Sequence, residues 1–173
     1  YLYYGNGGDG LQVLPRQMQT GSAVQIAPLG ASDSPTGVQL SLVGRTPVGR
    51  GEVRLEWQVA PLGTAYTATS GVESGSGEWT DSGAGGAVLT QTVTGLTAGE
   101  AYHWRVRVQY GAGSWLGQAA GRWLQAPWHG WSETDFRTLV PVSGLSAEND
   151  GRAWLLLRYS SSDAASLRTI EYV

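Results

Sequence analysis

A chain of 173 residues with 14 acidic and 11 basic side chains carries a net charge of -3, and all of the basic residues are arginine. With no basic cluster, this balance argues against a nucleic-acid partner, because phosphate neutralisation supplies most of that affinity. The absence of cysteine excludes a disulfide framework, a thiolate metal site and a cysteine nucleophile. The 26 glycines, the serines and threonines between short apolar runs and the near absence of helical periodicity predict an all-β chain with many turns. The longest apolar run, Ala153 to Leu157, is too short to cross a bilayer. The length exceeds one sandwich of about 100 residues and falls short of two, which predicts one core domain with an extra segment at each end.

Tyr1, Leu2, Tyr3 and Tyr4 read as a short aromatic strand that runs into a glycine-rich turn, Gly5 to Gly10. Tyr1-Leu2-Tyr3-Tyr4-Gly5 resembles the closing strand of an FG-GAP blade, the repeat of integrin alpha-type propellers, and Leu14-Pro15-Arg16-Gln17 resembles the linker leaving it. The Asp-x-Asp-x-Asp-Gly calcium loop of such blades is missing, so no metal is expected here. Residues 1–19 are therefore read as an N-terminal strand and linker, and the start at Tyr1 as part of a longer precursor. The strand's backbone groups need a ladder. It can fold back on its own chain or add to a sheet edge of another copy, and the second option repeats into a filament.

Residues 20–139 carry the predicted domain. Ala23 to Leu29 is expected as strand A, Val38, Leu40 and Leu42 as strand B, and residues 52–59 as strand C. In strand C the alternation turns Val53, Leu55, Trp57 and Val59 inward and Arg54, Glu56 and Gln58 outward. Glu78-Trp79-Thr80 is expected as strand C′ and Val88 to Val93 as strand E. The strongest alternation is strand F, with Tyr102, Trp104, Val106, Val108 and Tyr110 on one face and His103, Arg105, Arg107 and Gln109 on the other. Just before it, Leu96, Gly99 and Tyr102 have the spacing of a tyrosine corner, in which the phenol bonds back to upstream backbone. Leu-x-Ala-Gly-x-x-Tyr-x-Trp-x-Val-x-Val, residues 96–108, resembles the E–F corner and F strand of fibronectin type III domains, with Ala98 where that family usually has proline. The resemblance implies an antiparallel immunoglobulin or fibronectin III-like sandwich, and the alternation of strands C and F places Trp57, Trp104, Val106 and Val108 in its core, Trp57 standing on strand C where fibronectin III domains usually have a core tryptophan on strand B.

Half of the eight tryptophans, Trp115, Trp123, Trp128 and Trp131, follow strand F within a short stretch. Trp128-His129-Gly130-Trp131-Ser132 precedes strand G, residues 134–138, and resembles the Trp-Ser-x-Trp-Ser motif of cytokine-receptor fibronectin domains. That resemblance implies a ladder in which Arg105 and Arg107 stack on Trp128 or Trp131. Two alternatives remain open: the tryptophans cover the sandwich edge, or an exposed platform, Trp115 and Trp123 included, stacks on sugar rings. Residues 140–173 form a C-terminal extension, with Ala153 to Tyr159 and Arg168 to Val173 expected as a β-hairpin.

No catalytic constellation emerges. His103 reads as a surface or cross-strand residue and His129 as part of the tryptophan motif, and neither has metal-ligand spacing to another histidine. Glu52, Glu56, Glu73, Glu78 and Asp81 read as a solvated face, and Gly111-Ala112-Gly113 opens no phosphate-binding helix. The expectation is a non-catalytic structural or adhesion module, without cofactor or metal, of a secreted or cell-surface bacterial protein. Its expected partners are proteins, copies of itself included, with glycans as the alternative and with neither nucleic acid nor a membrane span.

Overall fold

The computed structural model of the chain describes residues 14–22, 24–46, 49–111, 117–125, 134–148, 155–161 and 168–172. The described residues are all-β. Their strands are β1 (Arg16–Met18), β2 (Gly30–Ala31), β3 (Gly37–Gly44), β4 (Glu52–Pro61), β5 (Glu73–Ser76), β6 (Thr80–Asp81), β7 (Ala87–Thr94), β8 (Ala101–Tyr110), β9 (Leu124–Gln125), β10 (Phe136–Arg137), β11 (Val142–Glu148), β12 (Leu155–Ser161) and β13 (Arg168–Tyr172). One sheet has the order β1-β3-β7, and a larger one the order β2-β10-β8-β4-β5, with β6 also on β4 and β9 on β8. The pairing is antiparallel throughout except between β10 and β2, which run parallel. A third sheet, β11-β12-β13, is formed by the C-terminal strands.

The first two sheets contribute to one hydrophobic core. Val38, Leu40 and Leu42 of β3 and Leu89 and Val93 of β7 meet Val53, Leu55 and Val59 of β4 and Trp104, Val106 and Val108 of β8. Period-two alternation explains why these residues gather: successive side chains point to opposite faces, so each strand delivers every second residue to one layer. Trp57 packs against this core only partly buried. It pairs with Gly75 of β5, where an added Cβ would lie 2.9 Å from the Trp57 Cζ2 atom. The indole thus covers the glycine, which lets the weakly β-forming Glu73–Ser76 serve as a strand.

Several expectations are corrected. Residues 24–29, the described part of the expected strand Ala23 to Leu29, are not a strand: Gln25 makes a single bridge to Met18, Gly30 N donates to Ala27 O at 2.8 Å, and Leu29 has a φ of 64°, left-handed rather than extended. The strand beside β3 is instead β1, inside the segment expected as a linker, and it pairs Gln17 with Leu40. Three residues are too few for alternation to register, and the inward residue is polar. Strand C′ is replaced by β5 and β6. The expected C-terminal hairpin has its counterpart in β12–β13, joined by an unanticipated third strand, β11. The expected N-terminal strand Tyr1–Tyr4 lies outside the described residues.

Candidate functional site

The outward face of β4 and β8 concentrates the ionisable side chains. Antiparallel register sets Arg54 opposite Gln109, Glu56 opposite Arg107, Gln58 opposite Arg105 and Ala60 opposite His103. Each polar pair is bonded across the strands. Arg54 Nε donates to Gln109 Oε1 at 2.6 Å and Arg105 Nε to Gln58 Oε1 at 2.7 Å. Glu56 Oε2 accepts from both Arg107 Nε at 2.5 Å and Gln109 Nε2 at 2.6 Å. Burial alone would raise the Glu56 carboxyl, but these two bonds and the charges of Arg107 and Arg54 outweigh it and hold the group below its ordinary value.

Three aromatic rings cap this row. Arg105 and Arg107 lie 4.5 and 4.4 Å from the Trp123 ring centroid, Arg105 also lies 4.4 Å from Tyr66, and Arg54 lies 4.4 Å from Trp79. All are within cation–π range. Tyr66 continues the stack onto His103, with centroids 4.4 Å apart. The result is a connected row, Arg107, Trp123, Arg105, Tyr66, His103, laid along one strand.

The two arginines of the expected ladder therefore stack on Trp123. Trp128 and Trp131, the expected partners, lie outside the described residues, as does Trp115. A sugar platform that includes Trp123 was one of the two open alternatives. The Trp123 ring is instead engaged by two guanidinium groups, because β9 returns alongside β8 and pairs Leu124 with Val106. Trp79 is 40% exposed. Replacing Trp123 with alanine removes two cation–π contacts, and chemical denaturation is expected to show a loss of about 1–2 kcal/mol. An unchanged midpoint would mean that Gln58, Glu56 and the Tyr66 ring hold the two arginines without Trp123.

His103 was expected as a surface or cross-strand residue; it stands across from Ala60, and the surface alternative is corrected. Alternation does point it outward, yet it is 0% exposed, because the segment after β4 folds back to lay Tyr66 over it. Its Nε2 donates to Thr64 O at 2.7 Å, and Nδ1 has no partner at hydrogen-bond geometry. Burial lowers the His103 pKa, and Arg105 adds to this, while the carbonyls of Thr64 and Pro61 oppose it. A histidine whose folded pKa lies below its unfolded value binds fewer protons when folded, so stability is complete above the unfolded value, about 6.5, and falls as pH drops below it. The slope attributable to one proton is at most about 1.4 kcal/mol per pH unit. Denaturation of the wild type between about pH 7 and 5 should show this slope, and His103→Gln should flatten it. An unchanged slope would assign it to another group.

The tyrosine-corner residues come together around Gly99, which has a φ of 72°. Tyr102, buried and stacked 5.6 Å from Phe136, accepts from Thr97 N through its hydroxyl at 2.8 Å. Leu96 is buried beside it, with its N–H donating to Thr36 O at 3.0 Å. Thr138, unremarked in the sequence, locks the same turn: its hydroxyl donates to Thr97 O at 2.6 Å and accepts from Glu100 N at 3.1 Å.

Trp104, 1% exposed, donates through Nε1 to Gln17 Oε1 at 2.8 Å, while its backbone N–H donates to Asp135 Oδ2 at 3.0 Å. Gln17 in turn donates to Ala27 O at 3.1 Å and Asp135 O at 2.8 Å. Sequence reasoning missed Gln17, Tyr66 and Asp135, which sit in short or aperiodic stretches with no local signal.

No known protein family matches the chain, and no curated protein is significantly similar to it. Among the described residues, no helix is long and apolar enough to cross a membrane. Nor, among them, do three histidine, aspartate or glutamate side chains gather where a metal ion could be held.

Proposed function

We propose that the chain is a non-catalytic structural or adhesion module of the fibronectin III type, displayed on or secreted from a bacterial cell. The observation that carries this reading is the commitment of the outward β4–β8 face to its own residues. Glu56 and His103, the groups of this face able to do acid–base work, and the cations Arg54, Arg105 and Arg107 beside them are each engaged by a cross-strand bond, an aromatic ring or burial. A face closed in this way resists shear between strands and offers no base or acid to a substrate.

Two further observations support the fold assignment within this reading. With the strands lettered as in the sequence analysis, β1 taking the place of A and β5 that of C′, the order is A-B-E in one sheet and, with β2 beyond G, G-F-C-C′ in the other, each contributing to the shared core. The Tyr102 hydroxyl at Thr97 N supplies the corner bond that the resemblance implies. Function rests on the site more than on this likeness, since sandwiches host many activities.

Two assays test the proposal. Protease shaving of intact producing cells should release peptides from residues 52–61 and 101–110 without lysis, and protection until lysis would remove the surface assignment. A panel of chromogenic ester, glycoside and phosphate substrates should show no turnover that Glu56→Gln or His103→Gln abolishes. Turnover lost in either variant would make the chain an enzyme.

A further inference from the structure

The two large sheets treat their outer surfaces differently. The β4–β8 face is dense with charge, whereas the outer face of β3 and β7 carries Gln39, Ser41, Val43, Val88, Thr90, Thr92 and Thr94, without a charged residue. Val88 is 71% exposed. The edges differ as well. At the far edge of this sheet β1 has three residues and begins on Arg16, and in the larger sheet β2 has two residues while β5 has four, with Glu73 and Gly75 among them. Short length, charge and glycine are the devices that keep sheet edges from pairing with other chains. β7 has none of them. It is eight residues long, Ala-Val-Leu-Thr-Gln-Thr-Val-Thr, and its register with β3 runs from Gly37↔Thr94 to Gly44↔Ala87 without a bulge. Among the described residues β3 is its only strand partner.

We propose that the β7 edge is a self-association surface, on which β7 of a second copy pairs antiparallel to form a two-fold dimer with a continuous six-stranded sheet. A second copy fits for three reasons. An uncharged edge presents no field that would select a partner of opposite sign and none that would repel its own duplicate. Antiparallel pairing centred on Gln91 sets Thr90 opposite Thr92 and Val88 opposite Thr94, so both cores stay on the same side of the joined sheet. Arg45 bonds to Gly85 O at 2.9 Å beyond the start of β7, so the two-fold axis sends the two Arg45 side chains to opposite ends. The contact closes on itself, and the short β1 edge left at each end does not extend it.

The test uses the full chain in sedimentation equilibrium. A concentration-dependent dimer is expected. The pair Thr90→Lys and Thr92→Lys sets like charges opposite one another and should raise the dissociation constant about tenfold or more, as should Thr90→Glu with Thr92→Glu. Mixing the two variants should restore association as a heterodimer, which a merely misfolded variant would not do. Because the native chain lacks cysteine, mixing Thr90→Cys with Thr92→Cys chains, whose cysteines face each other in this register, should give a disulfide-linked heterodimer on oxidation, and Ser74→Cys, on the β5 edge, should give no cross-link. A chain that stays monomeric at its highest soluble concentration overturns the proposal. So does a dimer indifferent to the lysine pair, cross-linked through residue 74, or lost only when residues 1–8 are deleted.

Discussion

Replacing Trp104 with alanine is expected to leave the chain without a cooperative folding transition at 25 °C. The side chain is among the largest that are fully buried, and truncating a tryptophan in a core costs roughly 3–5 kcal/mol. The change also strands Gln17 Oε1, whose partner is the indole N–H, for about 1–3 kcal/mol more. Against a typical domain stability of about 5–15 kcal/mol, that total removes most of the margin. Urea denaturation followed by far-ultraviolet circular dichroism checks the outcome. A variant within about 1 kcal/mol of wild type would mean that the two sheets do not depend on this indole. Trp104→Phe, which keeps an aromatic ring while losing the donor and part of the indole's volume, should retain a cooperative transition.

Gln17→Leu is the second large effect, expected at roughly 2–4 kcal/mol for the loss of several bonds by one buried side chain. Two of the three carbonyls it serves keep other donors, since Ala27 O still accepts from Gly30 N and Asp135 O from Leu29 N, while Ile26 O, 3.3 Å from Gln17 Nε2, loses this one. The indole N–H of Trp104 does not, and a buried unpaired donor carries the full desolvation penalty. Removing both members should therefore be milder than the two separate losses combined. In a double-mutant cycle, Gln17→Leu with Trp104→Phe should show at least about 1 kcal/mol of coupling. Additivity to within about 0.5 kcal/mol would show that the two side chains are neighbours without being energetic partners.

Both effects depend on contacts made across long stretches of chain, and this separates what was readable in the sequence from what was not. Gln17 and Trp104 stand 87 positions apart, and Gln17 and Asp135 stand 118 apart. Nothing local marks a glutamine in a three-residue strand as a core residue, because its burial is tolerable only when those distant partners satisfy it. His103 teaches the same lesson from the other side. Alternation placed it on the outward face, but outward became exposed only by assumption, and the segment carrying Tyr66 covers it.

The sequence by itself determined the all-β class, the inward rows of β4 and β8 and the position of the corner at Tyr102. These rest on period-two alternation and on turn chemistry within a few residues, which the backbone imposes wherever the strand ends up. Tertiary structure alone decided that β1 replaces the expected first strand, that Arg105 and Arg107 find Trp123, and that β7 is left as the long uncharged edge. Each of those outcomes is a choice among partners distant in the chain, set by which surfaces the joined sheets bring within reach, and one strand's pattern is compatible with many such partners.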